Sequence, residues 1–271
     1  MIKVGLIGLG RTGMHIASEI FEQNNMELVA AICSPKSEKR GMTLGSLIFD
    51  KENPLVITSS EELKETIFKT KPDVIVDFST PNATMENSRL LSSLKVNIVI
   101  GTTGFTDEEL NELRSLPLKY HNGIVYAPNI TLGVNTLMLL SNIAANILSN
   151  YDFQITETHH KHKKDSPSGT AKKIAMEMER GLESSGSDYK VIPINSIRAG
   201  GVIGKHEIQV IGEYDKIEIS HESFSRKVFA QGAVQGINYV YKKTGYFEMR
   251  EVLDLKKVLN DCLNSEEIMV L

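Results

Sequence analysis

The first twenty residues restrict the fold more than any other stretch of the chain. An apolar run of strand character, Ile2–Ile7, is followed by Gly-Leu-Gly-Arg-Thr-Gly and then by a helical pattern from Met14. In such a loop, Gly8 permits a tight turn, Gly10 permits close approach of a pyrophosphate, and Gly13 permits close packing of helix on strand. A strand, this glycine spacing and a helix, in this order, predict a dinucleotide-binding α/β fold of the Rossmann type.

The residues after the second predicted strand, Leu28–Cys33, bear on the choice of cofactor. A site for NAD usually places Asp or Glu about 20 residues beyond the glycine motif, where it binds the ribose 2′-hydroxyl. Cys33 occupies that position, and a group of small polar and basic residues follows it: Ser34, Lys36, Ser37, Lys39 and Arg40. Such side chains are better suited to a 2′-phosphate, which favours NADPH over NADH. An exposed basic loop without a ligand is the alternative interpretation.

Two later apolar runs indicate the kind of sheet. Asp73–Phe78 ends in Ser-Thr-Pro, and Asn97–Ile100 ends in Gly-Thr-Thr-Gly-Phe, while a helical pattern covers residues 60–70. Continuous apolar strands that alternate with helices predict a parallel sheet covered on both faces, with ligands beyond the carboxyl ends of its strands. Both turns are therefore expected at the ligand-binding edge.

The segment from Asn122 to Tyr151 contains no charged residue and has to be weighed as a membrane span. It contains six asparagines together with Pro128 and Gly133, which would be costly in hydrocarbon. The segment is therefore interpreted as a strand, Gly123–Ala127, followed by a buried helix of about four turns. No membrane association is expected.

The second half of the chain has strands of a different kind. Their apolar and polar residues alternate, which is typical of half-buried strands in a mostly antiparallel sheet with one free face. The predicted strands are Phe153–Thr158, Val191–Arg198, His206–Ile211 and Lys216–His221. We therefore expect a second, α+β domain with a mixed, mostly antiparallel open sheet. A free face of this kind often pairs with copies of itself, which favours a homo-oligomer.

The stretch Thr158–Thr170, THHKHKKDSPSGT, concentrates reactive side chains. It holds three of the seven histidines and three lysines, and its Ser-Pro-Ser-Gly-Thr turn leads into a helical pattern. Free backbone N–H groups at a helix start bind anions, and a nearby His or Lys can act as a proton donor. This predicts a pocket for a small ligand with more than one carboxylate. The alternatives are a solvated charged loop and, less in keeping with the HHxH spacing, a zinc site.

Composition narrows the remaining classes of function. A formal net charge of −4 argues against a nucleic-acid-binding protein that depends on phosphate neutralisation. The two cysteines, Cys33 and Cys262, lack CxxC spacing and are interpreted as small buried hydrophobes in a reducing compartment. The first residues form a predicted strand without a cleavage site, so a cytoplasmic location is expected.

A family resemblance agrees with these predictions. HHKHKKDSPSGTA resembles the HHxxKxDxPSGTA signature of the dihydrodipicolinate reductases, also called 4-hydroxy-tetrahydrodipicolinate reductases. The DFSTP, GTTGF, NITLGVN, SIRAGGVIGKH, FAQGAV and FEMREVLDL segments are similar to that family as well, so the resemblance covers nearly the whole chain. It implies reduction of 4-hydroxy-tetrahydrodipicolinate (dihydrodipicolinate) to tetrahydrodipicolinate with NADPH or NADH, in diaminopimelate and lysine biosynthesis, by a homotetramer.

The resemblance also implies an organisation of the chain and roles for its residues. Residues 1–130, completed by 241–271, would bind the dinucleotide, and residues 131–240 would bind the substrate and form the oligomer. His159 would act as acid or base and Lys163 as proton donor, while substrate oxygens would be held by His160, Ser168, Gly169 and Thr170. The cofactor residues implied by the loops and the resemblance are Gly8, Leu9, Gly10, Arg11, Thr12, Gly13, Ser34, Lys36, Gly101, Thr102, Thr103, Ala127, Pro128, Asn129 and Ile130. No metal is expected.

The chain departs from the family pattern at a few positions. The family's glycine loop commonly has two residues between its first two glycines, whereas Gly8 and Gly10 here are separated by one. Cys33 replaces an acid, Ser166 replaces a usual Ala, and Lys205 stands where Glu is common. Two other functions therefore stay open: a paralogous NAD(P)H-dependent reductase of another imine or keto acid, and a non-catalytic NAD(P)H sensor. A sensor would have no need for both His159 and Lys163.

Overall fold

A computed structural model describes residues 1–48, 53–187 and 191–264 of the chain, with side chains as far as residue 261. The chain forms two compact units. Unit 1 consists of residues 1–130 and of the chain from residue 229 onward, and unit 2 consists of residues 131–228. The chain thus re-enters unit 1 at residue 229, whereas the sequence placed this return at residue 241. The predicted burial of Cys262 falls outside the described side chains.

Unit 1 is built on a sheet of seven parallel strands in the order β11-β6-β5-β4-β1-β2-β3. Its central strands are short apolar runs that are buried on both faces, as a parallel sheet with helices on each side requires. This sheet confirms the predicted α/β fold class. The strands are β1 Ile2–Ile7, β2 Met26–Cys33, β3 Ile57–Ser59, β4 Val74–Asp77, β5 Asn97–Ile100, β6 Gly123–Tyr126 and β11 Gly245–Phe247.

Helices connect these strands, and their starts follow local sequence signals. Thr106 forms a capping box with Glu109 at the start of α5, and Ser59 forms one with Glu62 at a single 3-10 turn, Ser60–Glu62, that leads into α3. The helices of unit 1 before the crossing to unit 2 are α1 Arg11–Phe21, α2 Gly45–Ile48, α3 Leu63–Thr70, α4 Pro81–Ser93 and α5 Asp107–Tyr120.

The helix α8, Lys227–Val240, explains why the chain returns to unit 1 earlier than predicted. A Cβ atom on Gly232 would lie 1.8 Å from the Ile130 carbonyl oxygen, so only glycine permits this approach. Near the other end of the helix, the Asn97 amide donates to the Val240 carbonyl oxygen at 2.6 Å. The helix therefore packs on the parallel sheet. The chain continues through β11 to α9 Met249–Val252 and α10 Leu255–Asn264.

Unit 2 is built on a four-stranded mixed sheet in the order β10-β9-β7-β8. β7 pairs with β8 in parallel and with β9 antiparallel, and β9 pairs with β10 antiparallel. The strands are β7 Asp152–His159, β8 Ile194–Arg198, β9 Lys205–Ile211 and β10 Lys216–Glu222. Alternate residues of β7 and β9 are buried, which confirms the predicted mixed, mostly antiparallel sheet with one face turned toward a core.

Two helices, α6 Leu132–Ile147 and α7 Gly169–Ser184, contribute to that core. The asparagines of the uncharged segment join these helices: the Asn142 amide donates to the Glu177 carbonyl oxygen at 2.8 Å and the Asn146 amide to the Gly181 carbonyl oxygen at 3.1 Å. Side-chain amides of this kind add hydrogen bonds between neighbouring helices. Among the described residues, no helix has the length and apolar character needed to cross a bilayer.

Candidate active site

The glycine loop of residues 8–13 has a different steric constraint at each glycine. Gly8 has φ +94°, and a Cβ atom on it would lie 2.4 Å from the Phe78 carbonyl oxygen. A Cβ atom on Gly13 would lie 1.9 Å from the Gly8 carbonyl oxygen, so helix α1 could not pack so closely on the loop. Gly10 has no atom within 4 Å of the equivalent position. The first and third glycines are thus required by the fold, whereas the second faces open space that a ligand can fill.

The start of helix α1 has the character of an anion site. Gly10 is its N-cap, no side chain caps the helix, and its first turn holds no acidic residue. Uncapped N–H groups at a helix start carry partial positive charge and bind phosphate. Leu9 is buried, while Arg11 is exposed and Thr12 is half-buried at the same turn. The loop therefore fits a pyrophosphate held mainly by backbone groups.

A buried carboxylate, Asp77 at the end of β4, organises the next turn. Its oxygens accept hydrogen bonds from the Ser79 backbone N–H at 2.9 Å, the Ser79 hydroxyl at 2.6 Å, the Thr84 hydroxyl at 3.1 Å and the Asn87 amide at 2.8 Å. The Thr84 hydroxyl oxygen also lies 2.9 Å from the Thr102 hydroxyl oxygen, which ties this turn to the one after β5. Burial raises the pKa of Asp77, although the hydrogen bonds oppose this. The sequence pointed to this turn but not to its internal carboxylate.

The other predicted cofactor residues lie where parallel strands end. Gly101 packs against the Phe78 ring, since a Cβ atom there would lie 2.1 Å from the ring, and Thr103 is exposed beyond it. Residues 127–130 follow β6, and the Ala127 N–H donates to the Ile100 carbonyl oxygen at 2.8 Å. Because β1, β4, β5 and β6 are parallel neighbours, these turns share one edge of the sheet. This edge is where α/β proteins bind nucleotides.

The basic residues after β2 are not equivalent. Lys39 donates its ammonium group to the Leu9 carbonyl oxygen, and Arg40 forms an ion pair with Glu62 at 2.6 Å. Ser34 and Lys36 are exposed, and Lys36 makes no hydrogen bond or ion pair with any described residue. The segment thus offers Lys36 to a ligand more freely than the two cations that follow it.

The second candidate site lies at the end of β7 in unit 2. The alternation of this strand turns Glu157 and His159 toward the core, where Glu157 is 0% and His159 is 8% exposed. The His159 Nδ1 atom lies 2.5 Å from the Glu157 Oε2 atom. A buried carboxylate beside an imidazole of this kind fixes the orientation of the ring.

Arg198, on the neighbouring strand β8, neutralises this buried carboxylate. Its Nη1 and Nη2 atoms donate to the two oxygens of Glu157 at 2.8 and 2.6 Å, and the Ser168 backbone N–H donates to Oε1 at 3.1 Å. Burial raises the pKa of Glu157, but the hydrogen bonds, led by that of Arg198, outweigh it and lower the pKa to about 2. Burial lowers the pKa of His159, and the Glu157 charge only partly opposes this. At neutral pH the pair is therefore a carboxylate and a neutral imidazole.

Lys163 and His160 lie on the loop that follows β7. The Lys163 ammonium forms an ion pair with the Asp165 carboxylate at 2.7 Å, and its backbone N–H donates to the His160 carbonyl oxygen at 3.0 Å. The pKa of Asp165 is lowered: burial would raise it, but the hydrogen bond from Lys163 and the N–H of Gly169 outweigh burial. A ligand carboxylate that binds Lys163 thus has to compete with Asp165.

Helix α7 begins directly after this loop. Ser168 is its N-cap: its hydroxyl accepts a hydrogen bond from the Ala171 N–H at 3.1 Å and lies 3.3 Å from the His206 Nε2 atom. Ser168 is 1% exposed, whereas Gly169 is exposed and Thr170 is half-buried. The exposed helix start at Gly169 and Thr170 is the part of the predicted anion pocket that a ligand can reach.

The structure brings together residues that the sequence did not single out. Glu157, Arg198 and His206 come from three neighbouring strands, and His206 lies directly opposite Glu157 in the register of β9. One sequence signal could have found these residues: a charged residue at an inward position of an alternating strand needs a partner. Within the described part of the chain, no group of three or more His, Cys, Asp or Glu residues could hold a metal ion.

Comparison with known proteins finds relatives along almost the whole chain. The N-terminal and C-terminal families of dihydrodipicolinate reductase match residues 2–130 and 133–253. The 4-hydroxy-tetrahydrodipicolinate reductase of Methanocaldococcus jannaschii is 36% identical over 95% of this chain and 99% of its own, and that of Methanopyrus kandleri is 36% identical over 93% and 97%.

Solved structures give the same result. A dipicolinate-bound dihydrodipicolinate reductase from Paenisporosarcina sp. TG-14 has a TM-score of 0.74 at 29% identity, covering 92% of this chain and 97% of its own. An amine dehydrogenase from Mycobacterium smegmatis, with a TM-score of 0.65 at 15% identity over 91% and 94%, shares the fold alone. With both halves matched by family and the relatives covered almost end to end, this chain belongs to the dihydrodipicolinate reductase family, whose members are NAD(P)H-dependent oxidoreductases.

Proposed function

We propose that this protein reduces 4-hydroxy-tetrahydrodipicolinate (dihydrodipicolinate) to tetrahydrodipicolinate with NAD(P)H, in the diaminopimelate and lysine pathway. The observation that carries the proposal is the buried Glu157–His159 pair beside a loop that presents Lys163 and an exposed helix start. A cyclic imine dicarboxylate needs these two things, a proton-transfer group and an anion site. The names of its relatives, reductases of this substrate, support the same choice.

The assigned roles follow from the chemistry of the reaction. The nicotinamide supplies a hydride when bound, and an imine conjugated to a carbon–carbon double bond becomes electron-rich on accepting it, so a proton has to follow. Lys163 is assigned as proton donor, and His159, neutral at neutral pH, as an acid or base that exchanges a proton at Nε2. His160, Gly169 and Thr170 are assigned to the substrate carboxylates. Ser168 acts through the helix start that its hydroxyl caps.

The cofactor assignment rests on unit 1. The glycine loop, residues 8–13, and the uncapped start of α1 would hold the pyrophosphate, and Gly101–Thr103 with residues 127–130 would lie along the nicotinamide side. We propose that NADPH is preferred over NADH, because Ser34 and Lys36 are exposed and Cys33 stands where an acid would bind the ribose 2′-hydroxyl.

Two other functions are distinguishable from this one. A paralogous reductase would share the cofactor loop but turn over another imine or keto acid. A non-catalytic sensor of NAD(P)H would bind cofactor and turn over nothing. The helix start at Gly169 and Thr170, on the loop that carries Lys163, favours a reductase of an acidic substrate over a sensor, because a sensor needs no such pocket.

The deciding experiment is a turnover assay. Purified protein is mixed with NADPH or NADH and the freshly generated product of dihydrodipicolinate synthase, and loss of the reduced-nicotinamide absorbance is followed. Pyruvate and an uncharged cyclic imine serve as comparison substrates. Preferred turnover of the synthase product supports the proposal, preferred turnover of a comparison substrate supports the paralogue, and cofactor binding without any turnover supports the sensor.

Assembly and location are further parts of the proposal. The face of the unit 2 sheet that carries Asn195, Ile197, Glu218 and Ser220 is exposed in the single chain, and Ile197 is 45% exposed. We propose that this face forms a homotetramer in the cytoplasm. Light scattering at micromolar concentration tests it: a mass of four chains supports the tetramer, and a mass of one chain contradicts it.

A further inference from the structure

We propose that Glu157 is a positioning residue for the reaction, because it holds the His159 ring with its proton on Nδ1 and so leaves Nε2 as the nitrogen that meets the substrate. This inference rests on the proposed function and adds a residue to it. The Nδ1–Oε2 distance of 2.5 Å and the complete burial of Glu157 carry the argument. Glu157 cannot touch substrate from this position, so its action has to pass through His159.

Both oxygens of Glu157 are committed as acceptors. Oε1 accepts from Arg198 Nη2 at 2.6 Å and from the Ser168 N–H at 3.1 Å, and Oε2 lies 2.8 Å from Arg198 Nη1 and 2.5 Å from His159 Nδ1. A guanidinium fork of this geometry keeps a buried carboxylate ionised. An ionised carboxylate has no proton to give, so His159 Nδ1 has to be the donor.

The surroundings of His159 leave its other nitrogen for chemistry. A Cβ atom on Gly204 would lie 3.1 Å from Nε2, so the absence of a side chain there keeps this nitrogen uncovered. The charged or titratable groups that face the ring are Glu157 on β7, Arg198 on β8, His206 on β9 and Lys163 on the loop. Glu157 is the anion among these four. Its loss would leave the imidazole facing the cations Arg198 and Lys163 and the buried His206, with no anion among these groups.

The same carboxylate also steadies the substrate loop. Arg198 Nη2 donates to the Asp165 carbonyl oxygen at 2.6 Å, in addition to its bond with Glu157. The Ser168 N–H, at the start of helix α7, donates to Glu157 as well. One buried ion pair therefore links the imidazole to both the middle and the end of the loop that carries Lys163. A purely structural role for Glu157 would consist of these contacts alone, so the test has to measure the protonation of the His159 imidazole.

The sharpest test is Glu157→Gln, which keeps the shape and removes the charge. The amide oxygen should face the Arg198 fork, which turns the amide N–H group toward His159 Nδ1 and makes that nitrogen the acceptor. Nitrogen-15 NMR of the histidine ring should then show the proton moved to Nε2 and proton uptake at lower pH than in the natural protein, because the neighbouring anion is gone. We expect kcat to fall about 10- to 100-fold, as for other partners that orient a histidine.

A matched control and a second variant keep the result interpretable. Glu183→Gln removes an equal charge from the exposed end of helix α7 and should leave the His159 spectrum and kcat unchanged. If Glu157→Gln does not fold, Arg198→Lys is used, which keeps one charge but loses the fork. It should lower kcat and shift the His159 titration in a folded protein.

The outcomes separate this inference from the proposed function. An unchanged His159 tautomer and titration in folded Glu157→Gln, with kcat within about twofold of the natural protein, would overturn the role of Glu157. A natural protein without turnover would instead overturn the proposed function. The NMR measurement needs no substrate, so it still decides whether Glu157 sets the state of His159.

Discussion

The glycine loop of unit 1 and the His-Lys loop of unit 2, residues 159–168, are both assigned to anionic ligands but are held in place in different ways. The glycine loop is shaped by contacts of its own backbone, such as the approach of Gly13 to the Gly8 carbonyl. The His-Lys loop is held by a buried ion pair on two strands, Glu157 of β7 and Arg198 of β8. Close backbone approaches that glycines permit shape the first loop, including that of Gly8 to the Phe78 carbonyl, whereas the second depends on paired side chains about forty positions apart.

This difference predicts where substitutions act. Changes in the glycine loop should affect folding of unit 1 or cofactor affinity, since its chemistry is that of the backbone. Changes in the His-Lys loop and its supporting ion pair should affect turnover while cofactor affinity stays the same. Each experiment below tests one side of this division, beginning with the largest expected effect.

The largest effect is expected from His159→Gln and Lys163→Ala. Both should lower kcat by about 10²- to 10⁴-fold, the usual contribution of a general acid or base, while the dissociation constant of NADPH barely changes. Steady-state kinetics and fluorescence titration with NADPH measure the two quantities. Near-normal kcat in both variants would show that the mechanism assigned to this loop is wrong.

The next effect compares two glycines of one loop. Gly13→Ala should destabilise the protein by about 1–3 kcal/mol, because its Cβ atom would meet backbone that cannot move aside cheaply. Gly10→Ala should leave the free energy of unfolding nearly unchanged, since the space before it is open, but should weaken NADPH binding. Urea unfolding and NADPH titration distinguish them. Equal loss of stability in both variants would contradict the assigned division of roles.

A third effect concerns pH and the buried His206. Burial lowers its pKa to about 3 in the folded protein, below the ordinary value of about 6.5 expected when unfolded. The unfolded chain therefore binds a proton at His206 that the folded chain does not bind. The free energy of unfolding should fall as pH drops below about 6.5. Between about pH 6 and pH 5 the loss should approach 1.4 kcal/mol for this one proton.

Urea unfolding across that range measures the loss, with His206→Asn removing the titrating group. This variant should show a shallower dependence of unfolding free energy on pH, and the exposed control His162→Asn should keep the slope of the natural protein. Glu157 does not contribute in this window: its lowered pKa gives stability that is lost only below about pH 4.5. An unchanged slope in His206→Asn would show that this histidine titrates alike in both states.

The smallest effect concerns cofactor preference. Lys36→Ala should weaken NADPH binding about tenfold, as expected for one charge-assisted hydrogen bond to a phosphate, and leave NADH binding unchanged. Arg40→Ala should do less, because its guanidinium already pairs with Glu62. Equal loss of both cofactors in Lys36→Ala would mean that this residue does not bind the 2′-phosphate.

The same division explains what the sequence could predict. The parallel sheet, the glycine loop and most strands followed from short apolar runs and glycine spacing, which are local signals. The return of the chain to unit 1 at residue 229 rests on helix α8, which packs on the parallel sheet through Gly232 and Gly236, and glycines inside a helix do not say which partner they approach. Strand β11 escaped prediction because only three residues form it.

The candidate site shows the same limit. His159 and Lys163 were assigned through the resemblance of their segment to a family signature, but Arg198 and His206 reach the site only through the pairing of β7 with β8 and β9. Strand register over some forty residues is not encoded in a local pattern. The engagement of Lys39 with the Leu9 carbonyl and of Arg40 with Glu62 also depends on how separate segments meet, so the three cations after β2 looked equivalent in sequence.

The most direct test of the account follows the hydride itself. NADPH carrying deuterium at both C4 positions is incubated with the protein and the fresh product of dihydrodipicolinate synthase, and the ring product is examined by NMR and mass spectrometry. We expect tetrahydrodipicolinate with one carbon-bound deuterium per NADPH oxidised. Unlabelled product, or oxidation of NADPH without reduction of the ring, would contradict it.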